Sequence, residues 1–375
     1  MKKSSSLPPE LLACRDRIDA VDDAILRLLN ERARIALTVA KVKSAARIDS
    51  FHDPERERRV LSRLTSKGGG PFPKTAVATV FREVMSGCLS LEKPLRVAFL
   101  GPEGTFSQMA ARHMFGLAAE YAEAATIEGV FDAVESGESA LGIVPIENST
   151  EGSVTVTLDT LIESPLLIRQ ELELDVSHAL LSKASSLSRI QRVYSHMQAL
   201  SQCRRWLAKS LPSAQLVQTT STSAAAIEAT RDASGAAIGS RLLAELHSLD
   251  VLRDKIQDRA ENATRFVVVS PKDAPPTGAD KTSIAFSVRD GKGALRKILS
   301  VFEESDINLT RITSRPTKRA RWEYVFLVDL EGHKSEAHIE RALARVKRMS
   351  AFTKVLGSYP NAAKTVATKR KTRRR

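Results

Sequence analysis

Arg96-Val97-Ala98-Phe99-Leu100-Gly101-Pro102-Glu103-Gly104-Thr105-Phe106-Ser107 is the stretch on which the fold turns. It opens with a short buried-strand pattern, breaks at a glycine-proline turn, and leads into a helix predicted over Ser107–Phe115. Ala140-Leu141-Gly142-Ile143-Val144 and Ala236-Ala237-Ile238-Gly239 repeat the strand-then-loop theme, with helical stretches between them. That alternation predicts an α/β domain over residues 95–270.

Working back from it, residues 1–93 read as all-helical. Ile18, Val21, Ile25, Leu28, Leu29, Ile35, Val39 and Val42 recur at three- and four-residue steps, giving one apolar stripe on a long helix. A second helix is predicted from Asp53-Pro54, where an acidic cap precedes proline at the first helical position, and a third over Lys74–Leu91. Three helices of such unequal length cannot bury that stripe alone, so a homodimer or higher homo-oligomer is expected.

Working forward, residues 271–281 (Pro271-Lys272-Asp273-Ala274-Pro275-Pro276-Thr277-Gly278 and onward) have the composition of a linker. Over 282–360 the predicted order is strand Ser283–Val288, helix Gly293–Glu304, strands Ile307–Ile312 and Tyr324–Leu330, helix Glu336–Met349 and strand Lys354–Gly357. This is the ferredoxin-like βαββαβ arrangement.

The chain has 375 residues, 42% of them apolar and 27% charged, the balance of a soluble multidomain protein. No apolar stretch approaches the ~18 residues of a membrane helix. The N-terminus has no apolar segment of the secretory kind, and a cytoplasmic location is expected. Cys14, Cys88 and Cys203 are scattered, so neither a disulfide framework nor a metal site is predicted. Part of the net charge of +13 sits in residues 361–375, a basic run expected to be a disordered, solvated tail. Aromatic residues are 5% and none interleave with that run, so nucleic acid is not an expected partner.

Arg32 and Lys43 fall on the apolar stripe, eleven residues and therefore only ~20° apart around the helix, while Arg15 lies ~100° round from Arg32. Such side chains can snorkel out of an interface. Three together are harder to dismiss, because unpaired buried cations are costly. With Ile18-Asp19, Glu31, and Asp53, Arg56 and Glu57, the spacing resembles the all-helical chorismate mutases. The resemblance implies a cationic site that holds dianionic chorismate for a [3,3] rearrangement, with no nucleophile, metal or cofactor. It makes Arg32 and Lys43 one protomer's contribution and Arg15 the partner's. Asp53, Arg56 and Glu57 complete the polar ring, Cys88 stands where some relatives carry serine, and Glu92 where some carry glutamine. Glu92 must be protonated to donate to the ether oxygen, so mutase activity is expected to fall as pH rises through its pKa.

The α/β region carries short polar clusters: Thr105 and Ser107; Glu147-Asn148-Ser149; Ser177-His178; Ser195-His196-Met197-Gln198; Thr219-Thr220-Ser221-Thr222; and Asn262-Ala263-Thr264-Arg265-Phe266. Singly these can be turn and capping chemistry, and His178 can be a satisfied core residue. In this order they resemble prephenate dehydratase, which implies two α/β lobes like a periplasmic binding protein with the site in the cleft. By that resemblance Thr264 assists hydroxyl departure and needs a polarising neighbour. Arg265 holds a carboxylate or shapes the cleft, and Thr105, Ser107, Asn148, Ser149, His178, Gln198, the Thr220–Thr222 cluster and Phe266 bind prephenate.

Gly293-Ala294-Leu295 and Thr313-Ser314-Arg315-Pro316 resemble the effector motifs of the ACT domain. They imply phenylalanine binding between paired domains, with Thr313 where glutamate is usual. The three resemblances occur in the order of the bifunctional chorismate mutase–prephenate dehydratases. The rival readings are a dehydratase with a scaffold helical domain, and a non-catalytic phenylalanine-binding regulator.

Overall fold

The computed structural model describes residues 8–47, 53–67, 70–259, 261–288, 291–316 and 324–362. The expected basic tail lies outside them from residue 363 onward. The chain divides into two compact units: residues up to Leu95 with Phe115–Glu120, and Arg96–Met114 with the chain from Tyr121 on.

The first unit is helical, as its periodicity predicts: α1 (Pro9–Ala45), α2 (Pro54–Lys67) and α3 (Lys74–Glu92). Pro9 opens α1, where a missing N–H costs nothing. Asp53 Oδ1 accepts the Arg56 N–H at 3.0 Å and caps α2. Both α1 and α2 pack against α3. Ala36 is the one buried residue of α1, while Ile18, Val21, Ile25, Leu28, Ile35 and Val42 stay exposed.

In the second unit a first lobe is built from β1 (Arg96–Leu100), α4 (Phe106–Phe115), β2 (Glu120–Ala124), α5 (Ile127–Glu135), β3 (Leu141–Asn148), β4 (Gly152–Ser153), α6 (Thr155–Glu163) and β5 (Leu167–Asp175). The second lobe holds β6 (Ala179–Ser182), β7 (Arg192–His196), α7 (Met197–Gln202), α8 (Arg204–Ser210), β8 (Gln215–Thr219), α9 (Thr222–Arg231), β9 (Gly235–Gly239), α10 (Arg241–His247) and β10 (Asp250–Arg253). The chain then returns through β11 (Ala263–Ser270), which inserts between β3 and β5. The sheets run β2-β1-β3-β11-β5 and β10-β6-β9-β7-β8. The two passages between the lobes lie side by side, the Val176 N–H donating to the Asn262 carbonyl at 2.7 Å.

The last layer is β12 (Asp280–Val288), α11 (Ala294–Glu304), β13 (Leu309–Pro316), β14 (Tyr324–Glu331), α12 (Ala337–Met349) and β15 (Ser350–Pro360), its sheet ordered β13-β14-β12-β15. One face packs Ile284, Phe286 and Val328 on Ile298, Val301, Phe302, Ile339 and Val346 of the two helices. The other face shares a core with the first lobe, where Ala285, Leu327, Leu356 and Tyr359 meet Leu158, Ile168, Val267 and Val269. Gly357, at φ 148°, permits this approach: a Cβ there would lie 2.2 Å from the Ile168 carbonyl oxygen. The linker-like stretch is packed too. Ala274 is buried, and its N–H donates to Ser358 O at 3.1 Å.

Candidate functional site

In the helical unit, α1 and α3 run side by side and bring four of the predicted residues to one face. Lys43 Nζ lies 3.2 Å from Glu92 Oε2, Arg32 Nη1 donates to Val84 O at 3.3 Å, and Cys88 is buried between those two levels of α3. The Lys43–Glu92 pair places a carboxylate against the cation expected to hold substrate. Arg15 is exposed on α1, 17 residues or about 25 Å from Arg32 along the axis. Arg56 is exposed at the start of α2, next to Asp53, and Glu57 is half-buried there.

The dehydratase-like constellation forms where the chain crosses between lobes. Thr264 and Asn148 are register partners on β11 and β3, and Asn148 Nδ2 donates to Thr264 Oγ1 at 2.9 Å. Asn148 Nδ2 also lies 2.9 Å from Asn262 Oδ1, and Thr150 Oγ1 donates to Asn148 Oδ1 at 2.7 Å. Asn262 Nδ2 donates to Gln202 Oε1 at 3.2 Å, and His178 Nε2 reaches that same oxygen at 2.9 Å. An amide oxygen can only accept, so His178 carries its proton on Nε2, as assigned from this network. Burial lowers the His178 pKa, against the raising effect of its hydrogen bond to Gln202, and so favours the neutral ring. The ring packs edge-to-face with Phe106, with centroids 5.5 Å apart and planes at 80°.

Glu151 takes the other end of the network, accepting from Gln202 Nε2 at 3.3 Å and from Gln198 Nε2. Ser149 seals the edge: its Oγ accepts the Ala263 N–H at 3.0 Å. Gln202, Thr150 and Glu151 escaped the sequence reading, and Asn262 entered it only as part of its cluster, with no role given. For Gln202 a signal existed, since it stands one helical turn beyond Gln198 and so shares its face.

The remaining predicted residues take other places. Thr105 Oγ1 donates to Leu100 O at 3.2 Å at the head of α4, and Ser107 is buried on that helix. Ser221 caps α9 by accepting the Ala224 N–H at 3.0 Å, with Thr220 before it and Thr222 as the first helical residue. Phe266 is core. Arg265 alternates away from Thr264 and faces the C-terminal sheet. It bonds Glu171 Oε2 at 2.9 Å, Asp329 Oδ2 at 2.7 Å and the Tyr359 hydroxyl at 3.0 Å, while Lys281 Nζ reaches Glu171 Oε1 at 2.9 Å. Burial alone would raise the Asp329 pKa, but Arg265 and Ser283 hold it below the usual carboxylate range. The Arg265 guanidinium is thus taken up in joining the two sheets.

On the C-terminal layer, Gly293 takes the left-handed conformation at φ 73° ahead of Ala294 and Leu295. Ser314 and Pro316 are exposed on the edge strand β13. Arg315 points the other way, donating to Thr155 O at 2.6 Å and pairing with Asp159 at 3.2 Å.

Comparison with known proteins matches residues 14–93 to the family described as chorismate mutase type II, 97–274 to prephenate dehydratase and 282–348 to the ACT domain. The bifunctional chorismate mutase/prephenate dehydratase of Aquifex aeolicus (strain VF5) is 46% identical over 357 residues, spanning 94% of this chain and 98% of that one. The crystal structure of prephenate dehydratase from Arthrobacter aurescens in complex with L-Phe superposes with a TM-score of 0.66 at 37% identity, covering 72% of this chain and 91% of that one. GqqA, described as a novel type of quorum quenching acylase, also superposes, with a TM-score of 0.65 at 30% identity over 71% of this chain and 98% of its own. A shared fold therefore does not fix the reaction, and the side chains must be read. With three domains matched in order and near-complete coverage of its relatives, the chain belongs to the family of bifunctional chorismate mutase/prephenate dehydratases.

Proposed function

We propose that the chain converts chorismate to prephenate and prephenate to phenylpyruvate, that phenylalanine bound at the ACT layer inhibits it, and that it works as at least a dimer. The observation that carries the dehydratase half is the 2.9 Å hydrogen bond from Asn148 Nδ2 to Thr264 Oγ1. By accepting there, Thr264 leaves its own hydrogen free and polarised. Prephenate loses its C4 hydroxyl as water while the ring carboxylate leaves as carbon dioxide, the C1–carboxylate electron pair entering the ring and one proton being consumed at the departing oxygen. Thr264 supplies the hydrogen bond to that oxygen, and aromatisation drives the step. Gln202, Asn262 and the neutral His178 fix the carboxamide of Asn148, so the donor is preorganised.

For the mutase half, Arg32 and Lys43 hold the carboxylates and Glu92, once released from Lys43 and protonated, donates to the breaking ether. The exposed stripe of α1 is the surface a second copy covers, and that copy's Arg15 completes the site. Each such side chain contributes about 1.5–3 kcal/mol when fully buried. Gly293, Ala294, Leu295 and the exposed Ser314 and Pro316 mark the phenylalanine site.

Phenylpyruvate formation from chorismate alone, with and without phenylalanine, tests the whole. Product that phenylalanine suppresses is expected. Product from prephenate but none from chorismate would reduce the helical unit to a scaffold, and product from neither would leave only a regulator.

A further inference from the structure

We infer that Arg311 is the relay by which the state of the ACT layer reaches the dehydratase residues, an inference that rests on the phenylalanine reading above. Strand β13 alternates strictly along its length: Arg311, Thr313 and Arg315 are half-buried, while Thr310, Ile312, Ser314 and Pro316 are exposed. The exposed row carries Ser314 and Pro316 of the effector motif, while Thr313 and Arg315 fall on the half-buried row. The half-buried row faces the first lobe, so any displacement of β13 by a ligand on its outer row is felt on its inner row without an intermediary.

The inner row makes two different contacts. Arg315 holds the first turn of α6 through Thr155 O and Asp159, and Lys354 of β15 closes the other end by donating to Leu161 O at 2.8 Å and Ile162 O at 3.1 Å. Those carbonyls have no partner within the helix, so α6 is clamped at both ends to the C-terminal sheet. Arg311 instead reaches the loop before α6. Its Nη2 lies 3.0 Å from Glu147 Oε1 and 3.0 Å from Ser153 Oγ, bridging the two strands β3 and β4.

Glu147 and Ser153 are themselves register partners, and Glu147 is followed at once by Asn148, the donor to Thr264. One side chain thus spans from the effector strand to the residue adjoining the catalytic pair. The Arg265–Asp329 link also joins the layers beside Thr264, but Asp329 is buried and both members are multiply bonded, which suits a fixed joint. The Glu147 side chain is 36% exposed against 17% for Arg311, so water reaches the carboxylate end of this pair, which can be made or broken more readily than the Arg265–Asp329 joint. A two-state element must have such a contact.

The test is phenylalanine inhibition of prephenate turnover in the full-length protein, with phenylalanine binding followed in parallel by calorimetry. Arg311→Gln is expected to keep prephenate kcat within about twofold and to keep binding phenylalanine, while the half-inhibitory concentration rises by about tenfold, within the usual span of allosteric couplings. Arg311→Lys, which keeps the charge on a shorter side chain without the planar guanidinium, is expected to fall between. Inhibition of Arg311→Gln at the wild-type concentration overturns the relay and leaves phenylalanine regulation standing. Loss of phenylalanine binding in that variant also overturns it, by placing Arg311 in the effector site. Wild-type protein that neither binds nor responds to phenylalanine overturns the regulatory reading, and the relay with it.

Discussion

The two groups of residues proposed above to hold anionic substrates, one in the helical unit and one in the dehydratase lobes, are built in opposite ways. Around Thr264 the groups are mostly neutral amides, hydroxyls and an uncharged imidazole, bonded to one another within one chain. Around Lys43 and Arg32 the groups are charged and half-exposed, and Arg15 stands exposed on a helix whose apolar stripe is uncovered. A rearrangement that makes and breaks no bond to the enzyme needs field and confinement. An elimination that discharges a hydroxyl needs one donor aimed accurately, and rigid amides aim better than mobile cations.

The comparison breaks most visibly at Thr264. Thr264→Val keeps shape and removes the hydroxyl; dehydratase kcat should fall by about 10²–10⁴-fold with mutase rate unchanged, in separate assays from prephenate and chorismate. If both fall together, the two regions are not independent. Lys43→Ala and Arg32→Ala should each lower mutase kcat/KM by about 10²–10³-fold and leave prephenate turnover alone.

A sharper cut mixes two inactive chains. Arg15→Ala and Lys43→Ala, unfolded and refolded together, should recover about a quarter of mutase activity, since half the dimers are mixed and each regains one intact site. No recovery would mean that each site is complete in one chain. Gln202→Leu should cost dehydratase kcat about tenfold, the loss of a buried amide's hydrogen bonds rather than of the reacting group.

The smallest effect is on pH. The folded His178 pKa is lowered, so below pH about 6.5 the unfolded chain takes up a proton that the folded chain refuses. Stability should decline as pH falls through that region, and His178→Gln should flatten the decline in denaturant titrations at pH 5 and pH 7.

Helices and lobes were legible because their signals are local. The α1 stripe, the Asp53-Pro54 start and the strand at Val97–Leu100 each declare themselves within a few residues. Strand β15 was not: Lys354–Gly357 was the expected extent, whereas the strand runs Ser350–Pro360. Its Ser358 and Tyr359 are buried polar residues satisfied across the sheet, by Thr282 and by Ser283 and Arg265, and that breaks an apolar pattern. Thr264, Asn148 and His178, singled out by motif resemblance, come together in one hydrogen-bonded network. Thr150 and Glu151 have no periodic or compositional mark, since their contacts exist only once distant segments meet. The orientation of Arg265 was hidden for the same reason, because the partner that claims it, Asp329, is 64 residues on.

The shared core beneath β15, closed at Gly357, has a consequence for how the molecule fails. In a calorimetric scan the C-terminal layer and the first lobe should absorb heat in a single transition, because neither keeps its interior when the other melts. With phenylalanine acting through that layer as proposed above, warming removes the restraint and the catalyst in the same event and leaves no unrestrained enzyme.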